Sequence, residues 1–451
     1  MKKHVVLALP VCLAACAPQM QLAKAPPLRS SDWQASEPSA PRATSLGAAF
    51  GSNALQALID RALSANADIG AARARVAQAR AQLRGARAAM LPVVNASAGL
   101  SATQTDNTGG SAFDFSAGSA GVDVSWDADL FGRARAGRRA ALSRVEAAAF
   151  DRDAAALAVE AEVARSFVQH AVLSERIALL DRNLASAREL DRIIRIRLRE
   201  GEGTKVETGL QSIEVRQLEA ERLRLTEAQV QTRNALAVLV GEEAPLFSAP
   251  EAELATLTVP EIGSGQPAEL LVRRPDVRAA EARIRAASGD VEQARAAFLP
   301  NLTLTASALG QAASLTGPYG LTLATGAALL APIFNGGRLR GEFALATAQQ
   351  AETVQLYRGA LLTALSEAEN ALTAVEKSRA RQALLEQVVG EARTTARLTR
   401  LQYIEGEADL RFMIDAQQML VQAEDALAIA TQERMNAAID LYRALGGAPR
   451  S

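Results

Sequence analysis

The chain has 451 residues and a formal net charge of −1, with 49% hydrophobic but only 4% aromatic residues. The near-neutral charge gives no reason to expect nucleic-acid binding. Mean hydropathy is +0.03 and no run reaches the roughly 18 apolar residues of a membrane helix. Scarce aromatics and abundant alanine point to helix-on-helix packing with small residues at the contacts.

The N-terminus has the form of a targeting leader. Met1–His4 is a basic segment and Val5–Ala15 an apolar one. It ends in Leu13, Ala14, Ala15 and Cys16, which resembles a bacterial lipobox, so residues 1–15 are expected to be removed and Cys16 to carry a covalent lipid. Ala17 follows the cysteine where aspartate does not, which resembles a lipoprotein sorted to the outer membrane. Cys12 would leave with the leader and Cys16 would be blocked, so no disulfide is expected within the chain. Residues 16–45 hold Pro18, Pro26, Pro27, Pro38 and Pro41 and suit an extended tether.

The mature chain is a duplication. Asp68 to Pro92 recurs at Asp276 to Pro300 with an offset of 208, and Ala72, Arg75 and Val76 match Ala280, Arg283 and Ile284. Gly132, Gly201 and Gly241 match Gly337, Gly406 and Gly446 at an offset of 205, so the second copy has lost three residues between Pro92 and Gly132. The expected organisation is a first repeat over 46–241, a segment over 242–267 joining the halves, and a second repeat over 268–451. No other cofactor or metal is expected. Apart from His4 in the leader, His170 is the single histidine, and it sits alone on a helix as a surface or packing residue.

Each repeat opens with an amphipathic helix, over about 53–90 and 268–298. After Pro92 the period changes from 3.6 to 2. Val94, Ala96, Ala98 and Leu100 alternate with Asn95, Ser97, Gly99 and Ser101. Ala120, Val122, Val124 and Trp126 alternate with polar residues, across a turn at Asp106–Gly110. Strands are thus expected within about 93–126, and in the second repeat within 301–332, where Gly317 and Pro318 mark the turn. They are long enough to cross a bilayer when tilted, or to form surface hairpins. Four strands cannot close a barrel, so membrane strands would require several protomers to share one. Asp127 and Asp129 resemble paired carboxylates but end a strand, and no catalytic constellation is present.

Long helices follow, over about 136–240 and 338–446. Arg138–Glu200 lacks proline and glycine and would span roughly 95 Å as one helix; its duplicate runs over about Glu342–Glu405. Leu173, Ile177, Leu180, Leu184, Ala187, Ile194 and Leu198 form a heptad seam. Gly201, Gly203 and Thr204 form a tight tip, with Thr204 placed to cap the returning helix. Gly406 and Ala408 form the matching tip, with Asp409 at the N-cap position.

Together these features resemble the TolC-type outer-membrane efflux channels. The resemblance is carried by the lipobox, the duplicated unit, Arg400–Gly406 followed by Ile414–Gln417, Asp129–Arg133, Arg273–Val277, Phe298–Pro300 and Pro332–Gly337. The leader is similar to the NodT-type lipoprotein subgroup paired with RND pumps. The resemblance implies a mainly α fold with a membrane β-barrel portion. It implies a homotrimer with a 12-stranded barrel and a 12-helix periplasmic tunnel, anchored in outer-membrane lipid and reaching into the periplasm. Its partners would be a periplasmic adaptor and an inner-membrane RND pump, and its function the passive exit of small molecules, with no enzyme activity. The resemblance also places Asp415, and one turn nearer the tip Phe412, at a periplasmic gate, and it gives adaptor docking to Gly201, Gly203, Thr204, Gly406 and Ala408. A type I protein-secretion duct and a lipidated coiled-coil adaptor or scaffold are the other readings.

Overall fold

The computed structural model describes residues 33, 45–105, 113–251, 253–260, 273–312 and 318–447. The leader, Cys16, the tether apart from Trp33 and Ser45, the Asp106–Gly110 turn, Gly317, and residues 252 and 261–267 of the joining segment lie outside the described residues. In chain order the elements are α1 (Leu46–Ala49), α2 (Asn53–Ala65), α3 (Ala67–Ala88), β1 (Val93–Thr105), β2 (Phe113–Ala128), α4 (Arg133–Arg199) and α5 (Lys205–Val240). Then come α6 (Pro275–Ala296), β3 (Asn301–Ala312), β4 (Tyr319–Leu330), α7 (Arg338–Glu405) and α8 (Leu410–Ala444). The chain forms two compact units, and each draws on both repeats. One holds Ala74–Ala149 and Ala279–Gly359; the other holds Pro27–Arg73, Phe150–Arg278 and Ala360–Ser451.

In the first unit the four strands pair antiparallel in the order β1-β2-β3-β4. The register converts sequence alternation into two chemically distinct faces. Ala96 lies opposite Val122, Val122 opposite Ala308, and Ala308 opposite Leu323. One residue along, Asn95, Asp123 and Ser307 are opposite each other on the other face, where Asn95 Nδ2 donates to Asp123 at 3.0 Å. Trp126 and Tyr319 sit on the apolar face near opposite ends. Tyr319 pairs through Ala312 with Gly118, eight residues from Trp126. At roughly 3.3 Å per residue that separation is about 26 Å, close to the height of a membrane barrel's apolar band. Strands β1 and β4 are the two unpaired edges.

Helix α4 begins a few residues before the expected 136, α7 begins at the expected 338, and the first amphipathic helix is broken. The amphipathic helix expected over 53–90 is two helices, because Asn66 is extended at φ −61°, ψ 132°. Its Oδ1 accepts from the amides of Asp68 (2.9 Å) and Ile69 (3.3 Å), and its Nδ2 donates to the Leu239 carbonyl at 2.9 Å. The repeat-equivalent position is Arg274, whose Nη1 donates to the Ala444 carbonyl at 3.2 Å. Leu239 and Ala444 are themselves equivalents, so each repeat ties its first helix to the end of its last. Pro275 then opens α6, a place where its missing N–H leaves no gap. Helix α4 runs through Gly137 and α7 through Gly341. One helical glycine costs about 1 kcal/mol relative to alanine, too little to stop a helix packed along its length.

The second unit is centred on a core of α1, α2, the middle of α4 and α7, and the ends of α5 and α8. Phe50, Phe167, Leu236, Leu372 and Ile439 are fully buried there, and Trp33 of the tether packs against them. Farther along, Leu173, Leu180, Leu184 and Ala187 of the heptad seam meet Leu218 and Leu225 of α5, with Ile177 half-buried beside them. His170 is half-buried; burial and then the charge of Arg233 hold its pKa below the usual histidine value.

Asp129 has a structural role. Its carboxylate accepts from the Ala134 amide at 3.0 Å and the Arg135 amide at 2.9 Å, closing the open N-terminus of α4, and from Arg135 Nε at 3.1 Å. Burial raises its pKa, but the two amides and the Arg135 guanidinium outweigh burial and hold it below the ordinary carboxylate value. Asp129→Ala is expected to destabilise the protein by about 1–2 kcal/mol at neutral pH. A depressed folded pKa contributes stability that is complete above the unfolded value and is lost as pH falls through the folded one. The thermal transitions of wild type and variant should therefore differ at pH 7 and converge as pH falls through the lowered folded-state value.

Candidate functional site

The two helix tips are built by matching backbone hydrogen bonds. In the first, the Gly201 amide donates to Leu198 O at 3.2 Å and the Glu202 amide to Arg197 O at 2.9 Å. In the second, the Gly406 amide donates to Tyr403 O at 3.2 Å and the Glu407 amide to Gln402 O at 2.8 Å. Gly201 (φ 82°) and Gly406 (φ 80°) take the left-handed turn that this pattern needs. Gly203 is close-packed, since an added Cβ would lie 3.0 Å from the Leu198 amide nitrogen.

The restarts differ. Thr204 Oγ1 accepts from the Glu207 amide at 3.2 Å, and Glu207 Oε2 accepts from the Thr204 amide at 2.6 Å, a complete capping box. Asp409 occupies the N-cap of α8 but makes no side-chain cap bond, which corrects the expectation that it caps as Thr204 does. Ala408 beside it is half-buried.

Helix α8 is two-faced from its first turn. Leu410, Met413 and Ile414 pack on Leu190 and Ile194 of α4. Phe412, Asp415 and Met419, spaced to share one face, point away from that contact. Phe412 is 55% and Met419 57% exposed, and Asp415 is exposed too. Asp415 has no hydrogen-bond or ion-pair partner among the described residues. An exposed, unpaired carboxylate between two apolar side chains has no structural work to do in this chain, and it keeps its full capacity to attract cations.

Residues 58–242 and 267–447 match the sequence profile of the family described as "Outer membrane efflux protein". The chain belongs to the outer membrane efflux protein family. OpmQ of Pseudomonas aeruginosa, a pyoverdine export outer membrane protein, is 36% identical over 417 residues, covering 88% of this chain and 86% of its own. OpmQ of Pseudomonas putida is 35% identical over 462 residues, covering 98% and 95%. The crystal structure of the open MtrE channel of Neisseria gonorrhoeae matches with a TM-score of 0.84 at 28% identity, covering 96% of this chain and 98% of that one.

This efflux protein is thus an outer-membrane channel protein that extends into the periplasm, and it is not an enzyme. Its fold is that of the family's trimeric channels, mainly helical with a smaller sheet. The coiled-coil adaptor reading is set aside, because both halves of the chain match the channel family.

Two features of the efflux protein's tips escaped the sequence reading. Arg197, before the first tip, donates through Nη1 to the Tyr403 hydroxyl at 3.1 Å, and its Cζ lies 5.7 Å from the Tyr403 ring centroid. This links the two hairpins between residues 206 positions apart, a distance over which helical periodicity carries no pairing signal. On α5, Val206, Leu210 and Ile213 form an exposed apolar stripe directly after the capping box, at 70%, 43% and 56% exposure. Their spacing was visible, but a stripe of that kind is read as core until its exposure is known.

Proposed function

We propose that three copies of this chain close their sheets into one 12-stranded barrel and their long helices into a periplasmic tunnel, a passive exit duct for small molecules. The four-stranded sheet carries this reading: it has one apolar face, one polar face and two unpaired edges. In lipid each open edge group would cost several kcal/mol, and joining β4 of one copy to β1 of the next removes every edge. Three copies of four strands fall within the range of bacterial barrels. The lipobox supports a lipid on Cys16 as a second anchor.

Small-molecule cargo fits better than protein cargo, because the OpmQ relatives are named for pyoverdine export. An inner-membrane RND pump and a periplasmic adaptor would deliver it. The adaptor would meet the tips at Gly201, Gly203, Thr204, Gly406 and Ala408, with the Val206–Ile213 stripe as an apolar seat. Three Asp415 carboxylates would ring the periplasmic constriction, with Phe412 as its apolar neighbour. A carboxylate ring selects and binds cations.

Single-channel recording in planar bilayers tests the ring. Asp415→Ala is expected to weaken block by divalent cations about tenfold, which corresponds to ~1.4 kcal/mol of lost attraction. Phe412→Ala should change conductance and leave the block in place. Unchanged conductance and unchanged block in Asp415→Ala would remove this residue from the constriction.

A further inference from the structure

Each chain has four places where a helix meets a strand, and each has an arginine with no acidic partner. Arg87 of α3 precedes Leu91, Arg133 of α4 follows Phe131, Arg295 of α6 precedes Leu299, and Arg340 of α7 follows Phe334. None of the four makes an ion pair or hydrogen bond among the described residues. Yet carboxylates are at hand in the same unit. Arg135 pairs with Asp129, Arg139 with Glu292, Arg144 with Asp290, and Arg338 with Glu342. The strands contain no Lys, Arg or His, so basic charge begins where the sheet ends.

The same junctions expose large apolar side chains. Leu91 is 64% exposed, Leu130 55%, Phe131 49%, Ile333 95% and Phe334 90%. They continue the apolar face of the sheet, since Trp126 on that face donates through Nε1 to the Met90 carbonyl at 3.1 Å. Apolar side chains bare to water beside guanidinium groups without counter-ions make an unfavourable surface in solution. At the boundary between acyl chains and headgroups it becomes a favourable one.

We propose that the four junctions form a binding collar for anionic phospholipid headgroups in the leaflet next to the long helices. The exposed leucine, isoleucine and phenylalanine side chains enter the acyl boundary, as aromatic belts do. The arginine stems lie along that apolar surface, and their planar forks take phosphate oxygens in pairs. The duplication repeats the device. Arg87 and Arg295 are equivalents at the entries to the sheet. At the exits, each repeat keeps one paired arginine (Arg135, Arg338) and one free one (Arg133, Arg340).

The inference rests on the apolar sheet face lying in lipid, and one experiment separates the two ideas. With Trp33→Phe as background, Trp126 is the single tryptophan. The full-length protein is reconstituted in phosphatidylcholine vesicles containing equal mole fractions of either brominated phosphatidylglycerol or brominated phosphatidylcholine. Phosphatidylglycerol is expected to quench Trp126 with a relative binding constant about fivefold higher, the scale set by one arginine near a charged headgroup. Gln at positions 87, 133, 295 and 340 together should bring the two lipids level while the trimer band on gels persists. Equal quenching by both lipids in the unsubstituted arginine background overturns the collar. Loss of the trimer in the Gln variant also overturns it, because the arginines would then serve subunit contacts. If neither lipid quenches Trp126, the sheet face is not in lipid and the underlying reading fails instead.

Discussion

Gly446→Ala is expected to abolish assembly or to lower stability by about 3 kcal/mol or more. Two independent penalties combine. The residue sits at φ 86°, in the left-handed region where a Cβ crowds the following carbonyl oxygen at about 1–2 kcal/mol. The new Cβ would also lie 2.9 Å from both the carbonyl carbon and oxygen of Arg273, which are backbone atoms that cannot rotate aside. Gly241 in the first repeat has the same problem, with φ 73° and the Ala65 carbonyl oxygen only 2.6 Å from an added Cβ. Ala65 and Arg273 are equivalents at the offset of 208, so duplication preserved the close approach as well as the turn. Gly241→Ala should therefore behave like Gly446→Ala. Gly209→Ala on α5 is the control, since nothing lies within 4 Å of its added Cβ and a helix favours alanine over glycine. The heat-dissociation temperature of the purified protein reads all three. Wild-type behaviour in the Gly241 or Gly446 variant would show that the two helix ends can separate without penalty.

Arg274→Ala should lower stability by about 3 kcal/mol. The guanidinium is 8% exposed and holds four acceptors in one fork. These are both oxygens of Asp276 (3.0 and 2.7 Å), Glu367 (2.7 Å) and the Ala444 carbonyl. Removing it leaves two carboxylates facing each other and one of the last carbonyls of α8 without its donor. Both carboxylates are more than a third exposed, so water recovers part of the loss, and the figure lies at the lower end for a broken buried pair. Arg274→Lys should be intermediate, because an ammonium keeps the charge and loses the fork. Burial raises the Asp276 pKa, but the Arg274 hydrogen bonds and charge bring it below the ordinary carboxylate value. The Asp276 contribution is thus present at neutral pH and is lost as pH falls through the lowered value. A denaturation midpoint equal to wild type at pH 7 would show this network to be ornamental.

What the sequence disclosed follows from the reach of each signal. Period-two alternation located the strands and placed Ala96 and Val122 on the apolar faces of theirs before any register was known. The heptad spacing of Leu173, Leu180 and Leu184 foretold their burial. The duplicated glycines marked both tips, since few other residues accept a positive φ there. Signals confined to one side chain were weaker. Asn66 looked like any polar residue on a helix surface, and only its bond to Leu239, 173 positions away, shows why the helix breaks. Asp409 carried the right chemistry for a cap and does not make the bond. In the tip region Asp415 and Phe412 were named by resemblance, and their shared exposed face became visible only with the buried face of α8. The Arg197–Tyr403 contact depends on a neighbour 206 positions away, and the unpaired arginines at the strand junctions on which neighbours are absent among the described residues, and no spacing rule records either.

The unequal tips have a mechanical consequence. The first hairpin is latched at its turn by the reciprocal bonds of Thr204 and Glu207, while the second turns on backbone bonds alone. Fraying therefore begins more easily at the start of α8, the segment that carries Phe412 and Asp415. Around a threefold axis, stiff and compliant hairpins would alternate, so a small displacement of the compliant three would widen the aperture like a shutter with every second blade fixed.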